Sequence, residues 1–235
     1  MSVSSQSSRE ILVIGGDSSL GREIISQAKQ AGFVVHATSR MSTQNQEVGV
    51  KWHFLDLASE DTVNKFFQEL ETLRFQNIFY CIGKTSHLIG IDFSKDNLSE
   101  YFAVQFVMSF ILLSRLPTLM TTEVSSTLAY VSSRAALYPS YDIPYAAVKG
   151  GLASTTISIS KKLQLNQRAI VVVPGLIEDS TMFLEMSPDL QADHRERAGG
   201  KLLSLRQAAG YLLEFGSEGS DIQNGVILEI GPKYK

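Results

Sequence analysis

The sequence predicts an α/β protein in which a doubly wound, parallel, seven-stranded sheet lies between two layers of helices. Short apolar runs alternate along the chain with longer stretches whose apolar residues recur at helical spacing. The first run, residues 11–14, lacks polar residues, as is typical of a strand covered on both faces. No linker, repeat or low-complexity tract divides the chain. We therefore expect one domain over residues 1–235, with residues 1–8 as a disordered tail.

Composition argues against several classes of protein. The chain has 235 residues, 44% of them hydrophobic, which suffices for one sizeable core, and a net charge of -3. Because no Lys/Arg cluster occurs, neither a nucleic-acid surface nor a membrane surface is indicated. The first residues are polar, and no later run is both long and apolar enough to span a bilayer. We expect a cytoplasmic protein whose single cysteine, Cys81, lies in a buried strand.

The further elements continue the alternation of strand and helix. The helix at about 98–116 is apolar on more than one side, which predicts a subunit contact. The other helices carry apolar residues on one face. Further strands are expected at 33–39, 52–55, 77–82, 127–131, 169–173 and 226–230; further helices are expected at about 22–31, after an N-cap at Ser59, from Tyr145 to about residue 163, and at 205–215.

A glycine-containing turn at residues 15–21 joins the first strand to its helix. This arrangement aims free backbone N–H groups and a helix N-terminus at a phosphate. The alternative is an ordinary turn that needs glycines for close packing. Its place in the first strand–helix–strand unit favours the phosphate. The residues expected to contact a dinucleotide here are Gly15, Asp17, Ser18, Ser19, Leu20 and Gly21.

The ends of the next strands would meet the rest of a dinucleotide. An NAD-binding unit usually carries Asp or Glu after the second strand, whereas this chain has Ser39 and Arg40. A guanidinium group suits a 2′-phosphate, so NADP(H) is expected rather than NAD(H); the alternative is a solvated arginine. Asp56, followed by Leu57, would accept an adenine amino group or only start the next turn. After the fourth strand, Gly83 has no side chain to block the cofactor ribose.

The candidate catalytic residues follow the fifth strand. Tyr145 and Lys149 are four residues apart in a predicted helix, so they share one face of it. A nearby cation lowers the pKa of a phenol, and a tyrosine tuned in this way serves as a general acid or base at a carbonyl. A serine at the end of the strand, Ser132 or Ser133, would hold the same oxygen. One Tyr-x-x-x-Lys among eight tyrosines is weak evidence alone, and the alternative is a surface helix.

The whole chain resembles a short-chain dehydrogenase/reductase of the compact, Rossmann-type class, because these motifs occur in the order of that family and at nearly its spacing. The resemblance implies that Tyr145 is the catalytic acid/base and that Lys149 lowers its pKa and holds the nicotinamide ribose. It assigns the substrate-binding hydroxyl to Ser133, with Ser132 still possible. The loop over the nicotinamide would contain Pro174, Gly175 and Ile177, and Thr181 would reach either the carboxamide or the pyrophosphate.

Three departures from the family pattern concern the site. Ile14 and Ser19 replace the usual Thr and second Gly of the glycine turn, so the hydroxyl of Ser19 would lie beside the pyrophosphate. Tyr80-Cys81-Ile82-Gly83 keeps only the glycine of the usual Asn-Asn-Ala-Gly. Gln105 falls where many members place an Asn that holds a water of the proton relay, and its longer side chain puts that relay in question.

Two functions are consistent with these residues. The first is an NADPH-dependent oxidoreductase that reduces a small-molecule carbonyl to an alcohol, or the reverse, with Ser133, Tyr145, Lys149 and Gln105 as the catalytic group. The second is a weakly active or inactive NADP(H)-binding sensor or scaffold. The resemblance also implies a homotetramer or homodimer through the helices containing Phe106 and Ser154. Neither a metal nor a nucleic-acid partner is expected, and the substrate would be chosen by loops at 84–96, 134–144 and 178–203.

Overall fold

The structure, a computed structural model, describes residues 9–41, 47–86 and 94–232, so the predicted tail at residues 1–8 lies outside it. Within these ranges seven parallel strands form one sheet, as predicted. They are β1 (Glu10–Ile14), β2 (Val34–Ser39), β3 (Val50–Phe54), β4 (Asn77–Tyr80), β5 (Ser126–Val131), β6 (Gln167–Pro174) and β7 (Ile227–Ile230).

The sheet order is β3-β2-β1-β4-β5-β6-β7. The strands therefore proceed outward from β1 in one direction and then from β4 in the other, and every pair is parallel. In such a sheet the crevice for a ligand opens at the carboxyl ends of the strands where the order reverses. The expected ligand site consequently lies beyond the ends of β1 and β4.

Helices cover both faces of the sheet. They are α1 (Ser19–Gln30), α2 (Glu60–Glu69), α3 (Lys95–Phe102), α4 (Ser109–Arg115), α5 (Ile143–Ser160), α6 (Thr181–Leu184), α7 (Pro188–Arg197) and α8 (Leu205–Phe215). Alternate residues of β1 point to opposite faces, so Leu12 and Ile14 belong to one apolar cluster and Ile11 and Val13 to the other. The first cluster includes residues of α2, α4 and α5, and the second includes residues of α1 and α8. The predicted three-layer arrangement is confirmed.

Two helices occur where the sequence predicted only a loop at 178–203. Ser180 caps α6 by accepting a hydrogen bond from Phe183 N–H, and Ser187 caps α7 in the same way from Leu190 N–H. The apolar pattern could not reveal them, because α6 has four residues and α7 has no buried residue. Ser59 occupies the N-cap position of α2, as predicted, although its side chain makes no capping hydrogen bond.

The long apolar helix predicted at 98–116 is divided into four segments with three kinds of winding. Between α3 and α4 the chain forms a π-helix at Ala103–Met108, and after α4 it forms a 3₁₀ turn at Leu116–Leu119. By length and composition alone, the stretch Lys95–Leu119 could cross a membrane, which corrects the expectation that no run is both long and apolar enough to do so. Leu112 and Leu113 of α4 are buried in the core beneath the sheet.

Candidate active site

Tyr145 and Lys149 lie side by side at the N-terminal end of α5, both almost fully buried. The helix begins beside them because Asp142 caps it, accepting a hydrogen bond of 3.0 Å from Tyr145 N–H, and because Pro144 occupies its first turn. The Lys149 ammonium lies 5.8 Å from the centre of the Tyr145 ring. The predicted shared face is confirmed, although the helix ends at Ser160 rather than near residue 163.

The Lys149 ammonium is held at the ends of two strands. It donates hydrogen bonds to the carbonyl of Val131 (3.0 Å), at the end of β5, and to that of Ile82 (3.2 Å), just after β4. A Cβ on Gly83 would lie 2.6 Å from this ammonium, so the missing side chain of Gly83 makes room for Lys149. Burial lowers the pKa of Lys149 to about 8. The lysine is thus a fixed, buried cation with backbone partners.

The two candidate serines have different partners. Ser132 is buried and donates to the carbonyl of Lys149 (3.2 Å), so its hydroxyl is engaged with the backbone. Ser133 accepts a hydrogen bond from Ala135 N–H (3.2 Å), and its hydroxyl lies near enough to the Tyr145 phenol to lower the pKa of that phenol. The geometry therefore favours Ser133 over Ser132 as the partner of the tyrosine.

The pKa of Tyr145 differs in direction from the sequence-based expectation. The pKa of Tyr145 is raised to about 12, chiefly by burial; the nearby Ser133 hydroxyl opposes the rise and the charge of Asp142 adds to it. The protein's own residues therefore hold Tyr145 in the neutral, protonated form. A buried phenol that keeps its proton at neutral pH is suited to donating it to a substrate oxygen.

Gln105, on the π-helical segment, is tied to the loop that follows β4. Its side-chain oxygen accepts a hydrogen bond of 3.1 Å from Lys84 N–H, while the Tyr101 hydroxyl donates to the carbonyl of Lys84 (2.8 Å). The predicted role of Gln105 in holding a relay water stays a prediction. Its described contact fixes the backbone beside Gly83.

Asp142 is a site residue that the sequence reasoning did not single out. Besides capping α5, its carboxylate accepts hydrogen bonds from the backbone N–H (2.7 Å) and the hydroxyl of Ser86. It thereby fastens the loop after β4 to the start of the helix that carries Tyr145. The available signal was an Asp followed within two residues by Pro at a helix start.

The glycine turn has the tight geometry that a phosphate cradle needs. Gly15 adopts a φ of 86°, which favours glycine, and a Cβ on Gly21 would lie 2.3 Å from the Gly15 carbonyl oxygen. Ser18 caps α1 by accepting a hydrogen bond from Gly21 N–H (3.0 Å). The first N–H groups of α1, at Ser19 and Leu20, belong to those that a helix leaves without intrahelical partners. These residues fit a dinucleotide phosphate.

The loop that follows β6 contacts the glycine turn directly. The hydroxyls of Ser19 and Thr181 lie 2.7 Å apart, and Thr181 N–H donates to the Ser19 oxygen (3.0 Å). Upstream, Gly175 N–H donates to Ile230 O, which ties the loop to β7, and Ile177 is buried in the core on that face. The structure thus brings Ser19, predicted beside the pyrophosphate, into contact with Thr181, predicted to reach the carboxamide or the pyrophosphate.

The residues predicted to bind the cofactor at the ends of β2 and β3 differ in exposure and in hydrogen-bond partners. Arg40 is exposed, while Ser39 is buried and donates a hydrogen bond of 2.6 Å to the carboxylate of Asp17. Asp56 accepts from Ala58 N–H (3.1 Å), which is the turn-starting alternative, and the Leu57 side chain lies in the core. Cys81, predicted in a strand, follows the end of β4 and is half-buried.

Comparison with known proteins identifies relatives of the fold. A family model described as short chain dehydrogenase matches residues 9–191. A short chain dehydrogenase family protein from Francisella tularensis subsp. tularensis SCHU S4 superposes with a TM-score of 0.79 at 17% identity, covering 95% of this chain and 97% of that one. The structure of BdcA in complex with NADPH superposes with a TM-score of 0.80 at 18% identity, covering 96% of this chain and 94% of that one. A dehydrogenase/reductase from Sinorhizobium meliloti 1021 superposes with a TM-score of 0.80 at 19% identity, covering 95% of this chain and 93% of that one. No curated protein matches the sequence.

Proposed function

The chain belongs to the short chain dehydrogenase family, and from that premise we propose that it is an NADP(H)-dependent oxidoreductase that interconverts a small-molecule carbonyl and its alcohol. The observation that carries the proposal is the burial of Tyr145 and Lys149 side by side, with the Lys149 ammonium 5.8 Å from the centre of the Tyr145 ring and the Ser133 hydroxyl near enough to lower the pKa of the phenol. These three side chains lie at the carboxyl ends of the strands, on the edge of the sheet where the glycine turn also lies.

In this proposal each side chain has one task. The Ser133 hydroxyl donates a hydrogen bond to the substrate oxygen and orients it, and the Tyr145 hydroxyl donates its proton to the same oxygen during reduction. Lys149, a cation fixed by the carbonyls of Ile82 and Val131, favours the tyrosinate that remains. A bound nicotinamide supplies or accepts the hydride. The burial of Tyr145 and Lys149 keeps both groups out of bulk solvent.

The finer parts of the proposal concern the cofactor and the assembly. Arg40, exposed at the end of β2, supports NADP(H), and BdcA, of the same fold, was solved with NADPH. Val107 and Phe110, about half exposed (48% and 46%), support a homotetramer or homodimer. A cytoplasmic location belongs to the same proposal. A monomer at micromolar concentration in sedimentation would contradict the oligomer.

The second candidate is a nucleotide-binding sensor or scaffold of the same family. It is favoured by Gln105, whose amide oxygen is engaged by Lys84 N–H, and by the bond between Ser19 and Thr181. A scaffold would bind the dinucleotide without turning over any carbonyl.

One experiment separates the two candidates. NADPH oxidation is followed over a panel of ketones for the wild type and for Tyr145→Phe, and NADPH binding is titrated by fluorescence. We expect Tyr145→Phe to lose nearly all turnover, by about 10³-fold, while NADPH binding persists. The control is Tyr211→Phe on the exposed face of α8, which should keep full activity. Full activity in Tyr145→Phe would refute the catalytic assignment. NADPH binding without turnover of any ketone would favour the sensor.

A further inference from the structure

A carboxylate lies at the end of β2, where we had expected only Ser39 and Arg40 to meet the cofactor. Asp17 belongs to the glycine turn, but its side chain reaches the end of β2 and accepts a hydrogen bond of 2.6 Å from the Ser39 hydroxyl. Ser39 is the last residue of β2 and is almost fully buried. The serine therefore fixes the carboxylate at the strand end, which is where a dinucleotide-binding fold carries the acid that contacts the adenosine ribose.

The Asp17 carboxylate retains the capacity to accept another hydrogen bond. Its side chain is 34% exposed, and the nearest guanidinium nitrogen of Arg22 lies 4.0 Å away, beyond hydrogen-bond distance. A carboxylate offers about four lone-pair sites, of which Ser39 uses one. A hydroxyl donor that arrives from solvent would find an acceptor already oriented.

NAD(H) and NADP(H) differ at the ribose 2′ position in charge and in hydrogen-bonding character. The ribose 2′-hydroxyl of NAD(H) is a donor and suits a carboxylate. The 2′-phosphate of NADP(H) is an anion with acceptor oxygens, so a carboxylate repels it while Arg40 attracts it. The end of β2 thus presents two residues of opposite preference, Asp17 and Arg40.

We infer that Asp17 is a specificity-determining residue that accepts the 2′-hydroxyl of NAD(H) and opposes the 2′-phosphate of NADP(H). The inference rests on the proposed function and narrows it. Arg40 alone would make the protein bind NADP(H) more tightly than NAD(H). With Asp17 in place, the difference between the two affinities is smaller. Removal of the Asp17 charge makes the protein strongly selective for NADP(H).

The test is a binding titration, which requires no substrate. Dissociation constants for NADPH and NADH are measured by fluorescence on the wild type, Asp17→Asn and Arg40→Ala. We expect Asp17→Asn to shift the ratio of the two constants towards NADPH by about tenfold, equal to about 1.4 kcal/mol, and Arg40→Ala to shift it the other way. Asn keeps an oxygen that accepts from Ser39. The matched control is Glu23→Gln, which removes one negative charge from α1 at a residue bonded to Gln27, and it should leave the ratio within twofold.

Two smaller probes isolate the 2′ position. Adenosine 2′,5′-bisphosphate and 5′-AMP are titrated against the same variants, and their ratio should follow that of the dinucleotides. Asp17→Ser provides a second neutral variant and should shift the ratio in the same direction as Asp17→Asn. If both dinucleotides bind but neither Asp17 variant shifts the ratio, the inference fails and the proposed function stands. If the wild type binds neither dinucleotide, both fail together.

Discussion

The two halves of the candidate site are held in different ways. In the catalytic half, at the ends of β4 and β5, Tyr145 and Lys149 are buried, and the lysine is bonded to two strand-end carbonyls. In the dinucleotide half, at the ends of β1 and β2, the corresponding contacts are hydroxyl bonds near the surface, such as that between Ser19 and Thr181. The catalytic half is therefore preorganised by the core, whereas the dinucleotide half can be altered by exchanging single polar side chains.

Among changes that leave every catalytic side chain in place, the largest effect is expected from Gly83→Ala, which tests whether the core holds Lys149 in position. The new Cβ would lie 2.6 Å from the Lys149 ammonium and 2.8 Å from its Cε, so the lysine must leave its carbonyl partners. We expect kcat for ketone reduction to fall by about 10²-fold, as for other displacements of about 1 Å. Because the end of a lysine side chain can move, the free energy of unfolding should fall by only about 1–3 kcal/mol.

The control for that prediction is Gly150→Ala, on the same helix as Lys149. Its Cβ would lie 3.6 Å from Ala136 O, an ordinary contact, so activity should be unchanged. Steady-state kinetics and thermal unfolding measure the two effects separately. If Gly83→Ala retained wild-type kcat, the position of Lys149 would not control the reaction.

A smaller effect is expected from Asp142→Asn, which alters the charge next to Tyr145 while keeping a residue that caps helices well. Asp142 raises the pKa of Tyr145, so its neutralisation lowers that pKa. Reduction needs the protonated phenol and oxidation needs the phenolate. The alkaline fall of the reduction rate should therefore move to lower pH, and the oxidation rate at neutral pH should rise, each by less than about tenfold.

The pH–rate profiles of kcat/KM in both directions check this prediction. Ser86→Ala is the matched control, because it removes a hydrogen bond to Asp142 and leaves the charge in place. Ser86→Ala should leave the pH profile where it is. A profile of Asp142→Asn identical to that of the wild type would show that the charge does not act on Tyr145.

The same contrast explains what could be predicted from the sequence. The pairing of Tyr145 with Lys149 was predictable because one helix fixes residues four apart, and the sheet was predictable because each buried strand is a short apolar run. The partners of Ser132 and Ser133 depend on which way two adjacent side chains leave a strand end, which the spacing leaves open. The pKa of Tyr145 depends on its burial beside Asp142, and burial is set by the whole fold.

Contacts between distant segments were the least predictable. Asp17 meets Ser39 across 22 residues, and Ser19 meets Thr181 across 162. No local pattern links such pairs, because the sheet brings them together only when its strand ends align. The predicted Gly83 shows the same limit, since the space expected for a ribose is also the space that Lys149 needs.

The smallest effect is expected from Ser19→Gly, which restores the glycine that the family pattern usually has at this position. The change removes both hydrogen bonds between Ser19 and Thr181, so the start of α6 is no longer tied to the glycine turn. We expect faster NADPH association and about threefold tighter binding, because the dinucleotide no longer competes with that contact, and a loss of about 1 kcal/mol in stability. Stopped-flow fluorescence and thermal unfolding measure these quantities.

Thr181→Val separates the hydroxyl pair from the backbone bond. Valine retains the backbone N–H that donates to the Ser19 hydroxyl and lacks only the side-chain hydroxyl, which lies 2.7 Å from that of Ser19. The effect of Thr181→Val on the rate of NADPH association should therefore be smaller than that of Ser19→Gly. Weaker NADPH binding in Ser19→Gly would mean that the Ser19 hydroxyl contacts the pyrophosphate itself. In that case the serine would be part of the phosphate cradle, and the dinucleotide half would be as preorganised as the catalytic half.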